Sequence, residues 1–248
     1  MAQIKIRGVT LRASLFGEAD KYITILAEDC GKISAVVKGA SKITGKLFAC
    51  ARPFAYCDFI LFKKGDYMRV TSADVIYPFA KLADSYGALC LGLYFLEVMD
   101  KTLAEGANCD EFLRLLLHAL YAASRERLSR NLTRAVFELK LLSLLGFEPF
   151  LNGCVSCGAA NAPYFYADGL RCEKCAPPGC VNISEAALAA LFYILGAQTN
   201  KIFSFKIAPR AEAELTEAAK LCRAKNLSDT PRLKSEELLE NPPRRAVL

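Results

Sequence analysis

The segment CVSC at residues 154–157 is followed, after fourteen further residues, by CEKC at residues 172–175. Each Cys-x-x-Cys pair forms a tight turn that points both sulfurs to one side, and two such pairs can surround one zinc ion tetrahedrally. Four thiolates leave no exchangeable position on the metal, so we expect a structural zinc. The prediction is one zinc per chain, in a zinc ribbon at residues 151–180, with the ligands Cys154, Cys157, Cys172 and Cys175.

Three other interpretations of these cysteines stay open. Disulfides would need an oxidising compartment, but residues 1–7 lack the apolar stretch of a signal peptide. A redox Cys-x-x-Cys normally opens a helix, whereas Pro163 and the run Pro177-Pro178-Gly179 indicate loops. A ribbon that persists without metal is the third alternative. Cys180 lies near the second pair and is interpreted as a bystander.

The composition is that of a globular protein with a substantial core. Of the 248 residues, 53% are hydrophobic, and the longest uninterrupted apolar run, residues 186–197, has twelve residues. A membrane-spanning helix needs about 20 apolar residues, so we expect a soluble protein with no membrane partner. Six of the eleven cysteines are scattered singly outside the ribbon. This usage is typical of a reducing compartment and predicts a cytoplasmic location.

Residues 1–79 are rich in alternating apolar positions, which predict short β-strands. Gly8 interrupts the first of these and indicates a bulge, while Asp29-Cys30-Gly31 and Lys64-Gly65-Asp66 predict hairpin turns. About five strands in fewer than about eighty residues fit a small barrel of the OB-fold type, which binds oligonucleotides across one face. We therefore predict an OB-fold β-barrel at residues 1–79.

After Pro78 the sequence changes to long segments rich in Leu and Ala, which predict helices. The first part of this helical domain spans residues 80–150. Its predicted helices cover residues 82–105, 110–124 and 129–145. Asp110 is expected to cap the second helix, and Gly146 is expected just beyond the end of the third.

The second part of the helical domain follows the ribbon, at residues 181–240. Asn182, with Glu185 three positions later, resembles a capping box for an apolar helix. A last amphipathic helix is predicted after Pro209, with an apolar face formed by Leu215, Ala218, Ala219 and Cys222. Residues 241–248 are predicted to form a flexible tail. The expected fold class is multidomain α+β: an N-terminal OB-fold β-barrel and a C-terminal all-α domain with an inserted four-cysteine zinc ribbon.

The net charge of +6 is concentrated in the N-terminal third of the chain. Residues 1–80 carry twelve Lys and Arg against seven Asp and Glu, a balance of +5, while residues 81–248 carry twenty against nineteen. A basic surface on a small barrel is the electrostatic footprint of a polyanion, most simply nucleic acid; a solvated face without a partner is the alternative. The candidate DNA contacts of the barrel are Arg12, Lys21, Lys38, Lys42 and Lys46.

Two features extend this expectation. The last three of those lysines flank or occupy the loop 39–45, which we expect to be exposed and to track phosphates. The nearby aromatic side chains either stack on bases or belong to the core of the barrel. A second basic group recurs at helical spacing, so its members are predicted to share one helix face and to lengthen the DNA track. This group consists of Arg127, Arg130 and Arg134.

Catalytic patterns are scarce. His118, the only histidine, lies in an apolar helical segment and is interpreted as structural. The loop 39–45 is not a phosphate-binding loop, because five residues separate its glycines and Leu47 replaces the magnesium-binding Ser or Thr. Glu18 and Asp20 are too few carboxylates for a metal-dependent nuclease and are interpreted as structural or turn-capping residues. We expect no enzymatic activity.

Seven segments carry a resemblance to a known family: VTLR at 9–12, GEAD at 17–20, GKISAVVKGA at 31–40, PF at 53–54, FELKLLSLLGFEP at 137–149, CVSCG at 154–158 and PRLKS at 231–235. In their order and spacing they resemble the RecO family of bacterial recombination-mediator proteins, over nearly the whole chain. One difference is that residues 41–46 are less basic than this loop usually is in the family.

The resemblance implies an OB-fold, a helical domain and a zinc ribbon inserted in that domain. It implies binding to single- and double-stranded DNA, annealing of complementary strands, partnership with RecR, contact with the tail of single-strand-binding protein, and help in loading RecA onto coated strands. The predicted function is therefore a non-enzymatic, nucleoid-associated mediator of recombinational repair. The alternative is an adaptor whose barrel and helical groove bind only acidic protein tails, and such an adaptor would not retain a naked oligonucleotide at moderate salt.

Overall fold

The computed structural model describes residues 2–107, 109–228 and 233–240, which form a mixed α+β structure. They belong to two compact units, one comprising residues up to 124 together with 233–240, and the other comprising residues 125–228. The tail predicted at residues 241–248 lies outside the described residues. None of the described helices combines the length and the apolar composition that crossing a bilayer requires.

A five-stranded sheet dominates the first unit. Its strands are β1 (Ala2–Phe16), β2 (Asp20–Ala27), β3 (Gly31–Val37), β4 (Tyr56–Lys64) and β5 (Tyr67–Tyr77). They pair in the order β1-β2-β3-β5-β4, and β4 pairs back with β1, so that the ring of pairings closes. All pairings are antiparallel except the short parallel one between β3 and β5. Alternate residues point inward and form one core, which includes Ile23, Ile25, Val37, Phe59, Leu61 and Val70.

Strand β1 is long because it pairs with two neighbours. Residues 2–9 pair with β4 and residues 8–16 pair with β2, so that Gly8 lies opposite both Ala27 and Cys57. A Cβ atom at Gly8 would lie 2.5 Å from the carbonyl oxygen of Leu26, so only glycine fits there. The bulge predicted at Gly8 is wrong in position: the register shift falls between Thr10 and Arg12. Glycine is required at this position because the two backbones approach closely, and not because the strand contains an extra residue.

Both predicted hairpin turns are confirmed. Between β2 and β3 the chain turns through Asp29 and Gly31, whose φ angles are 56° and 67°. Between β4 and β5 it turns at Gly65, whose φ is 59°. Left-handed backbone is favourable for glycine and tolerated by Asp, which explains why these residues mark the turns.

Six helices are present in the described part of the chain, and a short 3-10 helix at Ala80–Asp84 precedes them. They are α1 (Tyr86–Thr102), α2 (Asp110–Arg125), α3 (Arg130–Leu144), α4 (Glu185–Gly196), α5 (Pro209–Asn226) and α6 (Lys234–Glu240). The single helix predicted over residues 82–105 is two pieces, because Ser85 is extended and its side chain accepts a hydrogen bond from the N–H of Ala88. The cap predicted at Asp110 is wrong by one position: Asp110 is the first residue of α2, since the Leu113 N–H donates to the Cys109 carbonyl oxygen.

Helix α6 was not expected, because α5 was predicted to be the last helix. The carboxylate of Glu97, on α1, accepts hydrogen bonds from the backbone N–H groups of Lys234 and Ser235, at 3.1 and 2.9 Å, and from the Ser235 hydroxyl at 2.5 Å. Glu97 thus satisfies the free N–H groups at the start of α6 from a distant part of the chain. This contact attaches the segment to the first unit.

The caps of the second unit match the sequence in part. The side chain of Ser129 accepts from the Leu132 N–H and begins α3, and Gly146 follows its end with φ of 88°. The capping residue predicted at Asn182 is wrong, because this residue pairs with Tyr164 in a small sheet. Ser184 caps α4 instead. The predicted buried face of α5 is confirmed, since Leu215, Ala218, Ala219 and Cys222 are all at most 1% exposed.

Replacing Gly31 with alanine is expected to destabilise the first unit more than replacing Gly65. Alanine must adopt positive φ at both positions, which costs about 1–2 kcal/mol. Only at Gly31 would the new Cβ overlap backbone, namely the carbonyl oxygen of Ala107, whereas nothing lies within 4 Å of a Cβ at Gly65. Urea unfolding should show a loss of about 1–2 kcal/mol for Gly65→Ala and a clearly larger loss for Gly31→Ala. Equal losses would contradict this interpretation of the turn.

Candidate metal centre and nucleic-acid interface

The two Cys-x-x-Cys pairs lie beside a small sheet in the second unit. Its strands are β6 (Tyr164–Tyr166), β7 (Gly169–Arg171) and β8 (Val181–Asn182), in the order β7-β6-β8. Each pair is a tight turn: the Gly158 N–H donates to the Cys154 carbonyl oxygen at 2.8 Å, and the Cys175 N–H donates to that of Cys172 at 3.0 Å. The Val155 N–H donates to the carbonyl oxygen of Leu170, which fixes the first turn to β7.

The four predicted ligands converge. The Sγ atoms of Cys154, Cys157, Cys172 and Cys175 all lie within 4.8 Å of one another, and those of Cys157 and Cys172 are 3.7 Å apart. A tetrahedral ion with metal–sulfur bonds of about 2.3 Å separates its sulfurs by about 3.8 Å. The donor set and its spacing therefore fit a metal ion such as zinc. Cys180 is not part of this cluster, which agrees with its interpretation as a bystander.

The electrostatics of the cluster favour a cation at its centre. A hydrogen bond from the backbone of Cys172, supported by those of Cys157 and Ser156 and opposed by burial, lowers the pKa of the Cys154 thiol to about 6. Contact with the sulfurs of Cys172 and Cys157 raises the pKa of Cys175 to about 12. Because crowded sulfurs oppose one another's ionisation, four thiolates need a positive ion among them. The four cysteines could therefore hold a metal ion such as zinc.

The basic loop of the first unit is held in place by Asp20. Its Oδ1 atom accepts a hydrogen bond from the Gly39 N–H at 2.8 Å, and the Ser41 N–H donates to the Ala19 carbonyl oxygen at 2.9 Å. These bonds tie the loop to the turn between β1 and β2. They agree with the interpretation of Asp20 as a structural residue. A Cβ at Gly45 would lie 2.8 Å from the Gly39 carbonyl oxygen, so the loop also closes tightly on itself.

Three lysines project from this loop into solvent. Lys38, Lys42 and Lys46 are exposed, as predicted. Within the described ranges, none of the three has a carboxylate partner within 4.0 Å. The loop thus presents three uncompensated positive charges over nine residues of chain. We name this segment, residues 38–46, the lysine loop.

Arg12 and Lys21, the other two barrel candidates, have internal partners. The Arg12 Nε atom lies 3.5 Å from Asp100 Oδ2 on α1, although the arginine side chain is 62% exposed. The ammonium of Lys21 donates to the Ala51 carbonyl oxygen at 3.3 Å and lies 5.3 Å from the ring centroid of Phe48. Arg52, which the sequence did not single out, lies 5.8 Å from the same ring.

The second basic group does not share one helix face. Arg127 precedes α3, which begins at Arg130, because Glu126 has a φ of 47° and Ser129 is the cap. Arg127 and Arg130 are exposed. Arg134 instead points its Nε atom at Glu138 Oε1, at 2.9 Å, and only 18% of its side chain is exposed. Sequence spacing predicted the helix correctly, but it could not show that Arg134 has a buried acidic partner.

His118 shows no sign of a catalytic role. It lies on α2, is half-buried, and burial lowers its pKa, so the imidazole is neutral at pH 7. Among the described residues it belongs to no cluster of His, Cys, Asp or Glu that could hold a metal. The interpretation of His118 as a structural residue therefore fits its surroundings.

Replacing Arg134 with methionine is expected to destabilise the second unit. The Glu138 carboxylate, 3% exposed, would lose one partner and keep Arg223 at 3.4 Å. Removing one partner of a buried ion pair costs up to about 3–5 kcal/mol. Urea unfolding should show this loss for Arg134→Met, whereas Arg130→Met, at an exposed position, should stay within about 0.5 kcal/mol of the parent. If Arg134→Met were as stable as the parent protein, the Arg134–Glu138 pair would contribute nothing to the free energy of unfolding.

Comparison with known proteins assigns the chain to a family. Its residues 1–79 match the family model "Recombination protein O N terminal", and residues 83–236 match "Recombination protein O C terminal". A protein from Acetivibrio thermocellus named DNA repair protein RecO is 32% identical over 87% of this chain and 88% of its own length. Its counterpart from Clostridium perfringens is 28% identical over 97% of this chain and 98% of its own length. The chain therefore belongs to the RecO family and has a role in recombinational DNA repair.

Proposed function

We propose that the chain is a non-enzymatic DNA-binding mediator, which captures single- and double-stranded DNA electrostatically and aligns complementary strands. The observation that carries this proposal is the lysine loop, with three exposed lysines that have no carboxylate partner among the described residues. Lysines of this kind neutralise phosphates and release counterions without reading sequence. Where two strands are both held this way, their mutual repulsion falls and pairing is accelerated without any covalent step.

The proposed barrel is an OB-fold at residues 1–79, and the closed ring of five strand pairings supports it. Its primary contacts are Lys38, Lys42 and Lys46. Arg12 and Lys21 are assigned a secondary part, because each already has an internal partner. A helical domain at residues 80–150 and 181–240 with the ribbon 151–180 inserted completes the proposed architecture.

Arg127 and Arg130 are proposed as a second set of phosphate contacts, since both are exposed. Arg134 is withdrawn from this set, because its pairing with Glu138 assigns it to the interior of the second unit. The family membership supports the remaining partners: we propose cooperation with RecR and with the tail of single-strand-binding protein, and assistance in loading RecA onto coated strands. These partners rest on the family and not on any contact within the described residues.

For the metal centre we propose one structural zinc per chain. Zinc suits four thiolates with a tetrahedral arrangement, and four protein ligands leave no open position for catalysis. When bound, the ion would cross-link the two cysteine turns. The protein's own residues supply the rest: the hydrogen bonds within the turns and from Val155 to β7 hold the sulfurs at the required spacing.

Removing the three charges of the lysine loop should weaken DNA binding evenly across sequences. For Lys38→Ala/Lys42→Ala/Lys46→Ala, the slope of log affinity against log salt should become less negative by about 0.7–0.9 per lost phosphate contact. Fluorescence anisotropy with labelled oligonucleotides at several salt concentrations measures this slope. An unchanged slope would refute the assigned role of the loop.

The matched control removes three exposed lysines from the second unit, as Lys174→Ala/Lys201→Ala/Lys206→Ala. This control lowers the net charge by as much as the loop variant does. A similar change in its salt slope would mean that overall charge, and not the lysine loop, governs binding. A parent protein that retains acidic peptides but no oligonucleotide at moderate salt would instead favour an adaptor that binds acidic protein tails.

Elemental analysis of protein purified without chelator should give one zinc per chain. Cys157→Ser should lose the metal and expose residues 151–180 to proteolysis, because metal binding supplies folding free energy to the ribbon. Cys180→Ser is the control, since that thiol lies outside the cluster, and it should retain a full equivalent. Absence of zinc from the parent protein would remove the proposed centre.

A further inference from the structure

One side of the first half of β1 has no partner strand. Residues 2–9 pair with β4 on one side of β1, but on the other side β2 pairs only with residues 8–16. Among the described residues no other strand or bridge takes the place of β2 there. Strand β2 ends at Ala27, and the chain then turns back into β3. The side of β1 that faces away from β4 is therefore open along residues 3–6, and we call it the open edge.

The direction of the backbone shows which groups the open edge presents. The carbonyl oxygen of Arg7 accepts a hydrogen bond from the Glu28 N–H at 2.8 Å, on the side away from β4. In a strand, the N–H and C=O of one residue point to the same side, and successive residues alternate. Gln3 and Lys5 thus direct both of their backbone polar groups to the open edge, while the intervening residues bond to β4. An unpaired row of this kind is a template for another strand.

The space beside the open edge accommodates a further strand. A groove of about 480 Å³ lies there, and its walls include Lys5 and Arg7 on β1 and the turn residues Glu28, Asp29 and Cys30. The core of the sheet is incompletely covered at this place, because Ile4 and Cys30 pack against it but are only partly buried. A strand added about 4.8 Å from β1 would place alternate side chains against Ile4 and complete the cover.

The charges along the open edge favour one kind of strand. Gln3, Lys5 and Arg7 are exposed and share the outer face of β1. The Arg7 guanidinium is already paired with Asp58, at 2.7 and 3.1 Å. Lys5, in contrast, has no carboxylate within 4.0 Å in the part of the chain that the structure describes. Opposite charges on neighbouring strands stabilise their pairing and like charges destabilise it, so an acidic residue is favoured opposite Lys5.

We propose that the open edge binds an extended segment of a partner protein, which adds to the sheet as a further strand beside β1. The segment alternates apolar residues, which cover Ile4, with outward polar residues, and it carries an acidic residue opposite Lys5. In this mode of recognition backbone hydrogen bonds supply affinity and alternate side chains supply specificity. The lysine loop is bonded to the turn at the other end of β1, so the inference goes beyond the proposed DNA binding and does not depend on it.

Amide hydrogen exchange of the full-length protein tests the open edge directly. In the free protein the amides of Gln3 and Lys5 should exchange fast, whereas those of Ile4 and Ile6 should be protected by β4. A peptide of about seven residues, the length of an ordinary strand, that alternates valine with glutamate should slow exchange at Gln3 and Lys5. The same peptide with N-methylated glutamates should have no effect. Unchanged exchange with the first peptide, or equal protection by the methylated one, would overturn the proposal.

A charge exchange tests the nature of the partner segment. Replacing the glutamates of the peptide with lysine should weaken its binding by about 2- to 25-fold, because a favourable cross-strand pair of charges becomes a repulsive one. Lys5→Glu should reverse this preference. The matched control Lys81→Glu, at an exposed position outside the groove, should keep the preference of the parent protein. Calorimetric titration measures all three affinities. The same preference in Lys5→Glu as in the parent would contradict an acidic residue opposite Lys5.

Pairing with a second copy of the chain is the competing use of the open edge. Sedimentation velocity over a range of concentrations, combined with hydrogen exchange, separates the two. A monomeric parent with fast exchange at Gln3 and Lys5 supports an edge that is available to a partner. A dimer whose formation protects these two amides would assign the edge to a second copy and overturn the partner segment.

Discussion

The structure of the first unit depends on one strand having two partners. Strand β1 exchanges hydrogen bonds with β4 along its first half and with β2 along its second half, and the change of partner occurs at Gly8. A side chain there would meet the backbone of β2. Closure of the ring and burial of its core follow from this shared strand.

The sequence was most informative where the determining interactions are local. Cysteine spacing predicted that the four sulfurs converge. The turns at Asp29 and Gly65 were predictable because a positive φ restricts the residue type. The sequence failed where a distant partner decides the outcome. Asn182 is a residue type that often caps helices, but its pairing with Tyr164 places it in a strand. Helix α6 is too short to be recognised by periodicity, and its position depends on Glu97, far away in the chain.

The same distinction applies to the candidate DNA contacts. Charge counting identified Lys38, Arg130 and Arg134 equally, yet only the structure shows that Arg134 faces a buried carboxylate. Spacing along a helix cannot reveal which charges are already compensated.

The contact between Glu97 and α6 makes the first unit discontinuous along the chain, with the second unit inserted between its parts. Glu97 and Ser235 are separated by 138 positions. At translation rates of about 5–20 residues per second, the segment that docks on α1 leaves the ribosome about 7–28 s after Glu97 does. During that interval the nascent sheet and α1 must persist without their final helix, while the segment with the four converging cysteines emerges. Biosynthesis therefore completes the first unit last.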